Sequence, residues 1–337
     1  MRLTPLPPGF LGEIARELGL KEICSWRLTC RKFRTSSFFY FKREFFSKRS
    51  IEVSSSKSLR RWVTISTNHE FAAEIQTLFL IFRVTCQPGC RIRGAEGCVS
   101  HHLAKSGWDK LAMCKIIRNF NNVRELFFSL SIEPPDEYDI EFYRSCSGHP
   151  IKIFWDIMSY ACHLPLQNLG VESRVVLGDK VYYFDYCPLV ANMPSPDEMR
   201  PLFSKVQVMA LPLMDTERLN ISTDFPSLQR DLVKLNSLIS SLCSLQKLQI
   251  RSDFKSLCSI DAVLISKPQP LTTLSLERVS LNAGGLMRLL GHHKKTLRSL
   301  CLRRVVLISG SWKEILEYMQ NSIRCFQPND GLIQVMC

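Results

Sequence analysis

Five side chains between residues 83 and 107 have the chemistry of metal ligands. They are Cys86, Cys90, Cys98, His101 and His102. Zinc prefers thiolate and imidazole ligands, and four of them complete its tetrahedral shell. The stretch has no CxxC pair, although structural zinc sites usually show such tight spacings. A zinc site and a thiol-bearing loop insertion are the two interpretations; we favour the loop and expect no cofactor.

The sequence contains none of the short motifs that mark common enzyme active sites. GxxxxGK[ST], GxGxxG, GxSxG and HExxH are all absent. A Cys–His nucleophile needs a thiol and an imidazole brought together in space. The 14 cysteines and 7 histidines show no local signature of such a pair. We therefore expect the chain not to be an enzyme.

Composition is typical of a folded intracellular protein. Hydrophobic residues make up 45% and charged residues 22% of the 337, which favours a packed core over disorder. No apolar run reaches the roughly 18 residues of a membrane span, and the N-terminus lacks the apolar stretch of a secretory signal. Without such a signal, the cysteines are expected to be free thiols in a reducing compartment. We expect a cytoplasmic or nuclear protein that is not secreted and does not enter a membrane.

Positive charge is concentrated near the N-terminus. Of the net charge of +13, +9 lies in residues 1–61, which hold 14 basic and 5 acidic side chains. A basic surface can bind nucleic acid or an acidic protein. No nucleic-acid-binding motif accompanies it, so we expect an acidic protein partner and keep a nucleic-acid binder as the alternative. The basic run on this segment is Arg27, Arg31, Lys32, Arg34, Lys42, Arg43, Lys48 and Arg49.

Residues 6–33 predict two short helices with more apolar surface than they can bury alone. Leu11, Ile14 and Leu18 share one helical face. Gly19 ends that helix, and a second apolar helix follows. Fewer than about 40 residues rarely form a core of their own. The segment therefore packs on the rest of the chain or binds a partner.

The same segment resembles an F-box over about 40 of the 337 residues. The matching stretches are Leu6-Pro7, Glu13-Ile14, Leu18, Leu20-Lys21-Glu22-Ile23 and Arg27-Leu28-Thr29-Cys30-Arg31-Lys32-Phe33. The resemblance implies docking to the Skp adaptor of an SCF-type (cullin–RING) ubiquitin ligase, and through it to a cullin scaffold. The residues that it assigns to adaptor contact, or to its support, are Leu6, Pro7, Leu11, Ile14, Leu18, Leu20, Ile23, Leu28 and Cys30. The alternative is an N-terminal helical hairpin that simply belongs to the protein core.

An aromatic helix and a series of repeats are predicted after this segment. Phenylalanines at 38, 39, 41, 45 and 46 predict a helix that ties the N-terminal helices to the body, and residues 56–66 predict another. Seven LxxLxL motifs then predict short strands: Ile75/Leu78/Leu80, Val123/Leu126/Phe128, Leu166/Leu169/Val171, Phe203/Val206/Val208, Leu245/Leu248/Ile250, Leu271/Leu274/Leu276 and Leu297/Leu300/Leu302.

The spacing of these motifs indicates a leucine-rich-repeat-like architecture. The last three start 26 residues apart and the earlier ones 37 to 48 apart, against the usual 20–29. Helices are predicted between them at 108–120, 151–162, 227–242, 257–265, 286–292 and 312–319. Such units cover one another's apolar faces and stack into a solenoid. We expect an α/β fold in which the helical F-box is followed by an irregular, curved solenoid with mostly parallel strands.

The predicted domain boundaries follow from these elements. The helical domain covers 1–47, the solenoid 48–325 and a C-terminal tail 326–337. Insertions interrupt the repeats near 83–107 and 173–201. Within the second insertion, residues 174–185 predict a β-hairpin with Gly178-Asp179 at its turn.

Residues between the inward positions of each motif are predicted to line the concave face of the solenoid. This face is either a solvated surface or the binding surface for a protein target. The residues assigned to target binding are Phe79, Phe127, Lys205, Lys247, Arg251, Ser275, Ser299 and Arg303, and Gln249, Thr273, Glu277 and Cys301 share their face.

The whole layout resembles F-box proteins of filamentous fungi. It implies a non-catalytic, substrate-recognition subunit of the ligase, with the F-box on the adaptor and the repeats on a protein target. The alternatives are an F-box scaffold that degrades nothing, a degenerate member of the family, or the nucleic-acid binder named above.

Overall fold

The protein is described by a computed structural model over residues 8–85, 106–133, 140–177, 180–183, 193–213, 237–239, 241–252, 270–322 and 332–336. Over this part of the chain the fold is α/β. Four short helices lead into a mostly parallel sheet, and further helices alternate with its strands. No helix in these ranges combines the length and apolar character that crossing a bilayer requires.

The N-terminal helices are α1 (Pro8–Glu17), α2 (Leu20–Thr29), α3 (Arg31–Ser36) and α4 (Phe38–Phe46). Gly19 separates the first two, as the sequence predicts. The side chain of Cys30 caps α3 by accepting a bond from the amide of Phe33 at 3.5 Å. The sequence therefore predicted α1 and the aromatic α4 correctly, but the single second helix expected up to Phe33 is divided at the extended residue Cys30 into α2 and α3.

Helix α4 fixes the N-terminal helices to the body. Strand β1 (Lys48–Glu52) follows α4, and after it come α5 (Ser56–Ser66), at its predicted bounds, and α6 (His69–Ala72). The ring of Phe46 stacks on Phe71 of α6 with centroids 4.5 Å apart, and Phe38 meets the same ring edge-on at 5.8 Å. The ammonium of Lys42 lies 3.6 Å from the Glu74 carboxylate. The predicted role of the aromatic helix is thus confirmed.

The sheet follows the order of the chain. Its strands are β1 (Lys48–Glu52), β2 (Thr77–Thr85), β3 (Glu125–Glu133), β4 (Asn168–Leu177), β5 (Lys180–Tyr183), β6 (Val208–Leu213), β7 (Lys247–Ser252), β8 (Thr273–Glu277), β10 (Ser299–Arg303) and β12 (Leu332–Met336). Neighbouring strands pair in parallel, in the order β1-β2-β3-β4-β6-β7-β8-β10-β12. Two short strands, β9 (Ser280–Asn282) and β11 (Val306–Ser309), form a second parallel pair.

Six of the seven predicted motifs are strands in their predicted register, and the fourth is shifted. The sequence expected Phe203, Val206 and Val208 to point inward. The motif is instead formed by Val206, Met209 and Leu211, all buried. Phe203 is also buried, but as the last residue of helix α9 (Pro196–Phe203). The strand starts only at Val208, so the motif begins three residues later than predicted.

Equivalent main-chain hydrogen bonds recur at the start of these strands. The carbonyl of Gln76 accepts bonds from the amides of Arg124 and Glu125, at 2.8 and 3.0 Å. The same paired bonds are accepted by the carbonyls of Ser47, Gln76, Arg124, Gln167, Gln207, Gln246 and Thr272. The long units therefore start their strands in the same way as the 26-residue units.

Helices pack on one face of the sheet. They are α7 (Trp108–Asn119), α8 (Ile140–Tyr160), α9 (Pro196–Phe203), α10 (Ala283–His293) and α11 (Trp312–Ser322). Alternate strand residues such as Leu78, Leu126 and Leu274 join helix side chains in one core. The predicted helices at 108–120, 286–292 and 312–319 are confirmed within a few residues. That at 257–265 lies outside the described residues, and residues 237–239 and 241 are the described helical part of 227–242.

Three predicted boundaries are corrected by the structure. Helix α8 begins at Ile140 and contains Pro150, instead of starting at 151. Strand β2 continues through Thr85, so the first insertion starts later than residue 83. Residues 332–336 of the predicted tail form β12, which pairs with β10 from Ser299↔Leu332 onward. The predicted hairpin is confirmed for its strands, since β4 and β5 pair antiparallel from Arg174↔Tyr183 to Leu177↔Lys180; its predicted turn, Gly178-Asp179, lies outside the described residues.

Candidate protein-interaction surfaces

The N-terminal helices divide their apolar residues between an interior and an exposed surface. Leu11 and Ile23 are 1% and 0% exposed. Of the two roles that the resemblance allows, contact or support, their burial is compatible only with support. Leu28 is 87% exposed and Phe10 58%. Leu6 and Pro7 lie outside the described residues.

The exposed residues form two apolar stripes. On α1, Phe10 and Ile14 are four residues apart and both are exposed. On α2, Leu20, Cys24 and Leu28 follow the same spacing. Residues four apart lie on one helical face. Each helix therefore keeps an apolar face outside the interior of this chain.

Two further predicted contact residues have mixed environments. Leu18 is partly buried at the end of α1. Cys30 is exposed, but its sulfur is used in the cap of α3. The Cys30 side chain therefore stabilises the turn between α2 and α3.

Part of the basic run is turned inward. The Arg27 guanidinium lies 4.2 Å from the Phe41 ring centroid and 5.2 Å from that of Phe38. Burial, and then the neighbouring charge of Arg34, lower the pKa of Arg27. Lys42 is paired with Glu74, as described above. The positive surface that remains is carried by Arg31, Lys32, Arg34, Arg43 and Lys48, all exposed.

The face of the sheet opposite the helices carries nearly all of the residues predicted to bind a target. Register places Phe79, Phe127, Gly170, Ala210, Gln249, Ser275 and Cys301 in one row across the sheet. A second row contains Lys247, Thr273 and Ser299, and a third contains Arg251, Glu277 and Arg303. We refer to this as the open face. It is aromatic on β2 and β3 and polar to basic on β7, β8 and β10, as the sequence predicts.

Lys205 does not belong to the open face. It lies in the turn before β6, and its ammonium donates to the carbonyls of Cys162 and Leu164, at 3.2 and 3.5 Å. The prediction was wrong because the fourth motif was placed three residues too early. The position between the inward residues of that strand is held by Ala210.

An aromatic pair and a glycine shape the N-terminal part of the open face. The rings of Phe79 and Phe127 stack with centroids 4.9 Å apart and planes 14° apart. A Cβ placed on Gly170 of the next strand would lie 2.9 Å from Cε1 of Phe127, and closer still to Cδ1. The ring thus leans over a position that only glycine leaves free. Sequence reasoning missed Gly170, although it occupies the variable position of its LxxLxL motif.

A hydrogen-bonded carboxylate borders this aromatic pair. The Glu125 carboxylate accepts a bond from the Thr77 hydroxyl at 2.8 Å and another from the Asn168 amide at 2.7 Å. Further along, the Arg251 guanidinium lies 3.9 Å from the Glu277 carboxylate. The open face therefore carries hydrogen-bonded polar groups on β2, β3 and β4 and an ion pair between β7 and β8.

Among the described residues, one acid–imidazole pair is in contact: Nε2 of His149 lies 2.7 Å from Oδ2 of the buried Asp109. No three His, Cys, Asp or Glu residues in the described part of the chain are placed to hold a metal ion. The predicted ligands Cys86, Cys90, Cys98, His101 and His102 lie outside it. Burial, and then the charge of Asp156, raise the pKa of the Cys114 thiol, which disfavours the reactive thiolate.

Neither a protein-family model nor a curated protein matches this chain. Its function is therefore inferred from the residues and surfaces described above.

Proposed function

We propose that the chain is a substrate-recognition subunit of an SCF-type (cullin–RING) ubiquitin ligase. Its N-terminal helices dock a Skp-type adaptor, and through it a cullin scaffold. Its repeats stack as a curved, leucine-rich-repeat-like solenoid whose open face holds a protein target. This role is non-catalytic for the chain itself and requires a cytoplasmic or nuclear location.

The observation that carries the proposal is the pair of exposed apolar stripes on helices whose interior is already filled. Leu11 and Ile23 fill that interior, while Leu28 is 87% exposed. Burying a leucine side chain stabilises by about 1.5–3 kcal/mol. A partner that covers these stripes therefore gains energy without competing with the core. The same stripes fall on the stretches that resemble an F-box.

The open face supports the second half of the proposal. Phe79 is 37% exposed although its ring stacks on Phe127, and aromatic residues are enriched in the energetic centres of interfaces. Arg251 and Arg303 lie in a neighbouring row. The face thus offers an aromatic anchor and basic groups to a protein segment.

The proposal is tested by co-purification from cells. Leu6→Ala combined with Pro7→Ala should abolish recovery of the adaptor and the cullin, while circular dichroism shows an unchanged fold. Undiminished recovery would overturn adaptor docking through this segment. Accumulation of specific proteins when the chain is deleted separates a degrading subunit from a scaffold that docks the adaptor and degrades nothing.

A further inference from the structure

A cleft of about 610 Å³ lies between the N-terminal helices and the first edge of the sheet. Its apolar lining comes mainly from α2, α4 and α5, with Leu20, Phe41 and Trp62 among its residues. Its polar lining comes from β1, β2, α5 and the residue before α5. Cavities of about 300–1,000 Å³ are typical of small-molecule sites.

The polar lining of this cleft is strongly basic. It includes Arg49, Lys57, Arg61 and Arg83, and Glu52 is the single carboxylate among the described residues that line it. No carboxylate of the described residues lies within ion-pair distance of the four cations. The cleft therefore has an excess positive charge that the described side chains do not neutralise.

Arg49 has the geometry of an anion ligand. Its guanidinium lies 4.5 Å from the Phe46 ring centroid, which fixes its plane. Its Nε is buried and has no hydrogen-bond partner among the described residues. Burial, and then the charge of Arg61, lower the pKa of Arg49. A desolvated cation next to a like charge is unfavourable, and a bound anion would offset that cost.

We propose that this cleft binds a small organic phosphate, held by Arg49 and Arg61, with its apolar body against Phe41 and Trp62. Guanidinium groups bind phosphate oxygens through two parallel N–H bonds. The excess of cations favours a doubly charged phosphate over a single carboxylate. The first turn of α5, which borders the cleft, is the positive end of an 11-residue helix.

The test is calorimetric titration of the purified full-length chain with phenyl phosphate, inorganic phosphate and phenol at fixed ionic strength. Phenyl phosphate should bind more tightly than inorganic phosphate, and phenol should not bind. Arg49→Gln and Arg61→Gln should each weaken phenyl phosphate binding about tenfold or more, because a charge-assisted hydrogen bond is lost. Arg61 is exposed on α5, so its replacement keeps the fold intact.

Arg288→Gln is the matched control, since Arg288 is exposed on the distant helix α10. This variant should bind phenyl phosphate as tightly as the unchanged chain does. The proposal is overturned if phenyl phosphate does not bind at millimolar concentration, if it binds no better than inorganic phosphate, or if Arg61→Gln leaves the affinity unchanged. Much tighter binding of a phosphotyrosine peptide than of phenyl phosphate would overturn a small-molecule site in favour of a peptide site. None of these measurements uses the adaptor, so they are independent of the proposed ligase function.

Discussion

The guanidinium of Arg27 lies 4.2 Å from the ring centroid of Phe41, and this contact joins α2 to α4. The same guanidinium donates to the carbonyl of Arg34 at 3.1 Å and to the Ser37 hydroxyl at 3.3 Å. Arg27 thus connects three of the four N-terminal helices. The apolar stripe on α2 depends on this packing for its position relative to α3 and α4.

Arg27→Ala should lower the free energy of unfolding of the N-terminal helices by about 1–2 kcal/mol, since it removes the cation–π contact and two hydrogen bonds. Arg27→Lys should recover only part of this loss, because an ammonium cannot reproduce the planar fork. Denaturant titration followed by circular dichroism measures the change. Arg31→Ala, at an exposed position of α3, is the control; equal stability of the Arg27 and Arg31 variants would refute the internal role.

Gly170→Ala should displace the Phe127 ring from its stack on Phe79, because the added Cβ meets that ring. Overpacking of this kind costs about 1–3 kcal/mol. Thermal unfolding should show a lower melting temperature. Gly284→Ala is the matched control on α10, where an added Cβ meets nothing within 4 Å and where alanine is favoured over glycine by about 0.5–1 kcal/mol. If both variants raise the melting temperature, the Phe127 ring does not lie as close to Gly170 as described here.

Cys114 should react slowly with iodoacetamide compared with Cys24 and Cys243, which are exposed. Only the thiolate reacts, and the raised pKa of Cys114 lowers its thiolate fraction at neutral pH. Its labelling rate should therefore still be rising above pH 9.0, the ordinary thiol value. Peptide mass spectrometry after timed labelling gives the rates. Labelling of Cys114 as fast as Cys24 at pH 7.5 would contradict its buried, protonated state.

Phe79→Asp should separate the two proposed binding functions. It removes an aromatic anchor from the open face without touching α1 or α2, so the adaptor should still co-purify while captured target proteins are lost. Quantitative mass spectrometry of the purified complexes measures both. Leu316→Asp, at an exposed position of α11, should lose neither. Retention of every co-purified protein by the Phe79 variant would exclude this part of the face as the target site.

Local patterns predicted much of the fold. Six LxxLxL motifs marked strands in register because inward leucines alternate with outward residues such as Ser275. The fourth motif was predicted to start at Phe203 because that residue is apolar, but Phe203 is the last residue of a helix. That three-residue shift also placed Lys205 wrongly on the open face.

Contacts between distant residues could not be predicted in the same way. The sequence does not distinguish Arg27 from its exposed basic neighbours, because its contact with Phe41 forms only when α2 packs on α4. Glu125 is bonded by Thr77 and Asn168, which are 48 and 43 residues away. Strand β12 pairs with β10 through a register that no local signal within 326–337 specifies. Such contacts can be identified only when the pairing register of the strands is known.

The most direct measurement of the central claim is the affinity of the purified full-length chain for a purified Skp-type adaptor. Leu28→Glu should weaken binding at least tenfold, because an 87% exposed leucine would lose about 1.5–3 kcal/mol of burial at the interface. Leu111→Glu changes a leucine that is 68% exposed on α7, far along the chain from the stripes, and should bind as the unchanged chain does. Equal affinities of the two variants, or no binding of the unchanged chain, would contradict docking of the adaptor on these helices.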